Sequence, residues 1–360
     1  MKGRSVESYN SVLISSNMSI VRHLKILRLF GLSTLIIDPP SFSKISYAYL
    51  LVSLAVFVAS AVKEFHPALE WREAGALTLV LINTKKIGVI VGPAVITCRL
   101  ISTRFLYEKL VNDLISVQRA LGTITYKMFT SIKIVCALIG LVFLGFFVIR
   151  IIRVAFDGDG LIWALADVEV VVINVFAYLS LLQFIYLARC IGDCFSKLGQ
   201  HLAESALKMS LTDYVRTHNH LMDLSAELNT IFDASITLTL FFGFVSTLTT
   251  ISMFITNELT ETLHKIRYYS YITIPTSMVL LVLETCQTVA SQAEESNQRL
   301  LNFRIYKKPQ TSEDDLLLIH YSGRKPLTFK AFNALTVNYN LGVSMIAAFL
   351  TYVVVLFQSG

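Results

Sequence analysis

Seven stretches of largely apolar sequence recur along the chain, at residues 44–62, 78–100, 129–152, 161–189, 231–255, 268–290 and 334–358. Each comes close to or exceeds the roughly 20 residues that a helix needs to cross the hydrocarbon of a bilayer. No water is present there to satisfy backbone N–H and C=O groups, so a span must be a helix or part of a closed barrel. Stretches of this length select helices. Composition agrees, since 54% of the 360 residues are hydrophobic and only 16% are charged, against about 25% charged in soluble domains. The expectation is an all-α membrane protein with seven transmembrane helices. The second stretch is the weakest, because Lys85 and Lys86 interrupt it; it spans if those side chains lie shallow and reach the headgroups.

Basic residues between the spans set the orientation. The N-terminal tail carries Lys2, Arg4, Arg22, Lys25, Arg28 and Lys44, the second connection Arg104, Lys109, Arg119 and Lys127, and the fourth Lys197, Lys208 and Arg216. The sixth is richest, with Arg299, Arg304, Lys307, Lys308, Arg324, Lys325 and Lys330. The odd-numbered connections are short and poor in Lys and Arg. This asymmetry predicts a cytoplasmic N-terminus and, after seven crossings, an extracellular C-terminus. It argues against a G-protein-coupled seven-helix receptor, whose N-terminus lies outside, and neither a DRY-like nor an NPxxY-like stretch is present.

The chain divides into a cytoplasmic tail (1–43) with a basic amphipathic segment from Ile20 to Leu32, six spans with their extensions (44–290), a cytoplasmic loop and anchor (291–333) and a last span (334–360). The start has no apolar run followed by a small-residue cleavage site, so no signal peptide is expected. Between Ile191 and Asn229 apolar residues (Leu198, Leu202, Leu207, Leu211, Val215, Leu221, Leu224, Leu228) recur at helical spacing. Residues 290–301 also read as a helix leaving the membrane. These extensions are expected to pack as a cytoplasmic helical layer, while Pro309, Gly323 and Glu313-Asp314-Asp315 make 307–325 a loop. The five cysteines (Cys98, Cys136, Cys190, Cys194, Cys286) are odd in number and lie in or beside apolar segments, which points to free thiols. The net charge of +6 fits anionic lipid and orientation; no aromatic-basic platform for nucleic acid exists.

Beyond Lys330 no side chain is charged. In that stretch Ser344, Ala348, Thr351, Val355 and Gln358 form one stripe at three- to four-residue spacing, while Leu341, Met345, Ile346, Phe349, Leu350, Tyr352 and Leu356 fill the other faces. Such a stripe can line a water path. It can equally let two helices approach closely.

The terminal run TYVVVLFQ resembles the closing signature of insect gustatory receptors: Thr351-Tyr352, the five hydrophobic residues Val353 to Phe357, then Gln358. The preceding LLLIHYSGRKPLTFKAFNALTVNYNLGVSMIAAFLTY, with its Thr-Phe-x-Ala approach, is similar as well. The family's Phe after the Gln is here Ser359, and Val353 stands where sugar-detecting members often carry an acid. The resemblance implies a ligand-gated, non-selective cation channel, homotetrameric or heterotetrameric with gustatory receptor subunits, in the plasma membrane of chemosensory neurons. A small tastant, bitter rather than sweet, would open it. Thr351, Val354, Val355, Phe357 and Gln358 would then form the pore and gate, with the Gln358 amides hydrating cations and the valines and Phe357 gating by dewetting.

In this topology the outer halves of spans two to six can enclose an external pocket. An aromatic wall with a few polar groups suits a small organic ligand; the candidates are Trp163, Asp167, Asn174, Tyr178, Phe147, Thr250, Phe254, Tyr268 and Tyr271. The alternative is an ordinary interfacial aromatic belt, with Asp167 or Glu169 paired to Lys85 or Lys86. Other chemistry is sparse. His218 and His220 at i, i+2 do not share a helix face, and Cys190 with Cys194 is a poor zinc set without a second pair. No metal, cofactor or enzymatic constellation is expected. A secondary transporter remains the other channel-free reading, although no internal repeat supports it.

Overall fold

A computed structural model describes a part of residues 80–102, and residues 103–122, 161–204, 211–255, 262–306 and 326–359. The expected spans at 44–62 and 129–152, the amphipathic segment, the loop at 307–325 and Phe147 lie outside the described residues. Five helices organise the rest: α1 (Arg104–Ala120), α2 (Leu161–Glu204), α3 (Leu211–Ile255), α4 (Thr262–Tyr306) and α5 (Tyr339–Ser359). A two-stranded hairpin, β1 (Lys330–Ala331) and β2 (Leu335–Thr336), precedes α5. The described residues between Val80 and Ser102 are helical and lead into α1.

Helices α2, α3 and α4 contain 44, 45 and 45 residues, about 66 Å each at 1.5 Å per residue. That is twice a hydrocarbon core, so in these three helices the expected span and the helical residues beyond it form one unbroken helix. By length and composition, Thr212–Ser252 and Ile272–Asn302 are long and apolar enough to cross a membrane, and Tyr339–Val355 is a shorter apolar helix. Pro275 lies inside α4, where it leaves the carbonyl four residues earlier without its helical donor.

Side-chain pairings give the helix directions. Tyr107 and Gln183 are hydrogen-bonded, and His201 Nε2 lies 3.0 Å from Leu121 O, so α1 and α2 run the same way. Arg189 pairs with Glu284 at 2.9 Å, while the Gln292 and Arg299 side chains lie against Gly192 and Gly199. Helix α4 is therefore parallel to α2. Ser180 meets Ser235 at 2.9 Å and Phe195 meets His218, which makes α3 antiparallel to both. Parallel neighbours joined through an intervening antiparallel helix are what alternating membrane crossings produce.

The core runs along this bundle. Leu110, Leu114, Leu181, Phe184, Ile185, Phe195, Leu198, Leu221, Leu228, Phe232 and Leu300 are all sealed from solvent. Helix α1 contributes Tyr107, Leu110, Val111, Leu114 and Val117, an i, i+3, i+4, i+7 set. It ends at Gly122, whose positive φ of 62° lets its N–H turn back to Arg119 O at 3.2 Å, a left-handed cap. Cys190, Cys194 and Cys286 are buried and take part in no disulfide among the described residues. Burial of the first two leaves no access for the acyl chain that a cysteine pair at a membrane edge invites.

One boundary moves. Residues 334–338, expected as the first turn of the last span, contain a turn, β2 and a bend, and helix starts only at Tyr339. The physical reason is Asn338, whose Oδ1 accepts the Leu341 N–H at 3.1 Å. An N-cap of this kind satisfies one of the first free donors and fixes where the helix begins.

Candidate functional site

Helix α5 packs on α3 and α4 through one narrow side. Leu341, Met345, Phe349 and Tyr352 are half-buried. Val343, Ile346, Leu350 and Val354 are exposed, Val343 to 65%. Ser344, Ala348, Thr351, Val355 and Gln358 are all exposed too, and so the small-polar stripe read from the sequence points away from the bundle. Thr351 Oγ1 donates to Ala347 O at 2.9 Å and Ser344 Oγ to Asn340 O at 3.0 Å. Hydroxyls satisfied inside their own helix require no protein partner, which suits a face turned toward water or toward another copy. Phe357 is placed on the helix as a backbone position only.

The base of α5 is fastened to α3. Lys330 N–H donates to Asn229 Oδ1 at 2.9 Å and Phe332 N–H to Thr237 Oγ1 at 2.9 Å. Phe329 is buried and meets the Phe184 ring edge-on at 5.7 Å; Ala331 and Val337 are buried beside it. The hairpin turn holds two non-glycine residues at positive φ, Phe332 at 52° and Asn333 at 53°, closed by Ala334 N–H to Ala331 O at 3.2 Å. Turns of this mirror-image type match strand twist but normally take Asn-Gly. A left-handed Phe costs about 1–2 kcal/mol, and at 66% exposure its ring recovers little of it. The two bonds to α3 and the buried Phe329 hold the strained turn. One turn further on, a Cβ at Gly342 would lie 2.9 Å from Leu283 Cδ1, so glycine lets α5 approach α4 closely.

At the far end α5 withdraws a polar atom from solvent. Tyr352 Oη is sealed from solvent. Sequence reading placed Tyr352 among the bulky residues and took nothing from its hydroxyl. The signal was available, because a buried tyrosine hydroxyl needs a polar neighbour.

Of the expected pocket residues, Trp163, Asp167 and Asn174 fall on the first turns of α2, Phe254 on the last turn of α3, and Tyr268 and Tyr271 near the start of α4, as backbone positions only. All six therefore lie toward the end of the bundle where Tyr352 sits. Thr250 is buried and donates to Ser246 O at 2.7 Å. Tyr178 is half-buried against the core.

Charge concentrates at the opposite end, around the base of α5. Lys109 Nζ binds Glu227 Oε1 at 2.6 Å, and that carboxylate pulls the ammonium pKa up. Arg99 donates to Thr230 O at 3.1 Å. Burial pushes the Asp193 carboxyl up to about 6, against the weaker downward pull of Arg189. Among the described residues no cluster of His, Cys, Asp or Glu could hold a metal ion.

The sequence matches the profile of a family described as 7tm chemosensory receptor over residues 22–360. Compared with curated proteins, it matches none. Among solved structures, the insect olfactory receptor OR5 from Machilis hrabei aligns with a TM-score of 0.73 at 15% identity, covering 97% of this chain and 100% of that one. The same receptor in complex with eugenol aligns with a TM-score of 0.73 at 14% identity over the same shares.

Proposed function

Because the chain belongs to the 7tm chemosensory receptor family, with the seven-helix fold of the olfactory receptor it superposes on, we propose that it is a ligand-gated cation channel. Its α5 helices, one from each of four subunits, surround a central pore. The observation that carries this reading is the stripe of Ser344, Ala348, Thr351, Val355 and Gln358, uncharged and exposed along the whole of α5. A lone chain has no reason to leave Val343, Ile346, Leu350 and Val354 exposed beside it; lipid and neighbouring subunits account for the apolar face and a water path for the polar stripe.

The basic connections place the charged end, with the hairpin and α1, in the cytoplasm and Gln358 at the extracellular mouth. Val354, Val355 and Phe357 make the dewetting constriction, and Gln358 gives a neutral amide collar that favours weak selection among monovalent cations. The pocket candidates Trp163, Asp167, Asn174, Tyr178, Phe147, Thr250, Phe254, Tyr268 and Tyr271 take a small external ligand. The terminal Thr-Tyr and Gln signature supports a gustatory subunit for a bitter tastant in chemosensory neurons, working as a homotetramer or with other gustatory subunits. The likeness to an olfactory receptor favours, as a second reading, a volatile phenolic ligand of the kind that receptor is seen with, eugenol.

Cysteines introduced singly at Thr351, Val355 and Gln358 test the pore. Water-soluble thiol reagents applied from outside are expected to change the current at all three, and earliest at Gln358. Indifference at all three, with and without stimulation, rules the pore out. Calcium imaging with plant alkaloids, sugars and volatile phenols separates the ligand readings.

A further inference from the structure

The hairpin that starts α5 is held by two helices at once. Its backbone is fastened to α3, through Asn229 and Thr237. The sealed ring of Phe329 rests on α2 instead. It meets Phe184 edge-on, with centroids 5.7 Å apart and planes at 85°, close to the arrangement aromatic pairs prefer. Phe184 is itself closed in. Its ring lies 5.9 Å from that of Phe232 on α3, and Phe232 lies 6.3 Å from Tyr107 on α1. Gln183, the residue beside Phe184, donates from Nε2 to the Tyr107 hydroxyl. Phe184, Phe232 and Phe329 are all sealed from solvent.

Rings packed this closely cannot give way without moving their neighbours. A shift of α2 against α3 therefore cannot leave the hairpin where it is. Helix α2 carries the Phe329 ring, α3 holds the backbone at Lys330 and Phe332, and the short segment between takes up the difference. The hairpin leads into α5 at Tyr339. The base of α5 thus has no movement of its own and goes where these two helices carry it. Helix α2 is also the one that bears the pocket candidates Trp163, Asp167, Asn174 and Tyr178. All four precede Phe184 on the same unbroken helix, and Tyr178 is about 9 Å from it along the axis.

We propose that Phe184 is a positioning residue for gating: through Phe329 it makes the base of α5 follow α2, so that a ligand seated against the outer turns of α2 shifts the pore helix. This rests on the pore reading of α5 and on the pocket reading of α2. Phe184 is sealed in the core, so it acts through the hairpin rather than by touching ligand or ion.

The test compares Phe184→Leu, Phe329→Leu and the two together in the full-length receptor. Phe195→Leu is the control, because Phe195 is a sealed ring on the same helix that packs on His218 and not on the hairpin. Leucine keeps the loss of volume small. In the detergent-purified protein each single variant is expected to lower the thermal midpoint. Phe184→Leu with Phe329→Leu should lose less than the sum of the two, whereas Phe195→Leu with Phe329→Leu should add. Strictly additive losses for Phe184 and Phe329 overturn the contact. Gating is read at Val355→Cys, as the rate at which a water-soluble thiol reagent applied from outside labels surface receptor. Phe184→Leu and Phe329→Leu are each expected to change that rate about twofold to tenfold, the range one aromatic pair supplies. Phe195→Leu should leave it as it was. An unchanged rate in the first two, or an equal change in the control, overturns the gating role, and labelling at Gln358→Cys then leaves the pore reading standing. Failure of Thr351→Cys, Val355→Cys and Gln358→Cys to react at all, with and without stimulation, overturns the pore reading and the gating role with it, while coupled melting still reports the contact.

Discussion

The two ends of the last helix are built on opposite terms. At its base three residues are buried, two backbone donors end on α3 side chains, an asparagine caps the first turn and a glycine brings α4 close. At its far half Thr351, Val354, Val355 and Gln358 are exposed, and Tyr352 turns its hydroxyl away from solvent. The helix is uniform in composition; its surroundings differ. A long apolar helix can thus be rigid at one end and adjustable at the other without a hinge residue, because the distinction lies in what it is fastened to.

The largest expected effect comes from emptying the base. Phe329→Ala removes a sealed ring packed on Phe184 and is expected to cost about 3–5 kcal/mol, read as lost surface receptor and a lower thermal midpoint. Alanine in place of the exposed Phe332 should do neither. Equal losses at the two positions would show that the base is no more fixed than its surface.

Next come the hairpin acceptors. Asn229→Ala or Thr237→Val leaves a backbone N–H of the hairpin without its partner and is expected to cost about 1–3 kcal/mol; Asn229→Asp, which keeps an oxygen, should retain most of the stability. Hydrogen exchange at Lys330 and Phe332 should quicken in the first two variants only. Faster exchange spread along all of α5 would mean that the base and far half open together.

Asp193 gives a smaller, pH-dependent effect. Its carboxyl is held at about 6 rather than 3.8 by burial. A raised acid favours the fold while protonated, and that contribution is lost as pH climbs from about 4 through about 6. Asp193→Asn should remove this slope: its thermal midpoint exceeds wild type at pH 7.5 and matches it near pH 4, by at most about 1 kcal/mol, since the group is partly exposed and solvent screens it. A steeper slope in the variant would refute the assignment. The smallest effect is at the turn. Asn333→Gly relieves a left-handed φ that asparagine already tolerates, so a few tenths of a kcal/mol in either direction is expected.

Much of this arrangement was legible beforehand. Length and polarity gave the long helices, and 3.6-residue spacing put Leu198, Leu221, Leu224 and Leu228 in the core, where they lie. The same spacing gave the α5 stripe its single direction. Other features left weaker marks. The apolar set of α1 from Tyr107 to Val117 has a clear helical period, but its basic residues drew the reading toward orientation instead. The hairpin had no local signal at all: strands of two residues are too short for alternation, and a Phe-Asn turn lacks the glycine that announces one. What stabilises it is Asn229 and Thr237, about a hundred residues earlier in the chain, and no window of sequence contains both halves of such a contact.

Helix α3 carries both hairpin acceptors, Asn229 and Thr237, near its middle, and this fixes how the receptor can tolerate changes in length. The two are separated by unbroken helix, so one residue inserted between them shifts one acceptor by about 1.5 Å and rotates it by about 100° relative to the other. The hairpin N–H groups of Lys330 and Phe332 could then no longer meet both side chains at once. The spacing between the acceptors is therefore a dimension that helix and hairpin cannot change separately, and a lengthened chain of this kind would have to add its residues outside it.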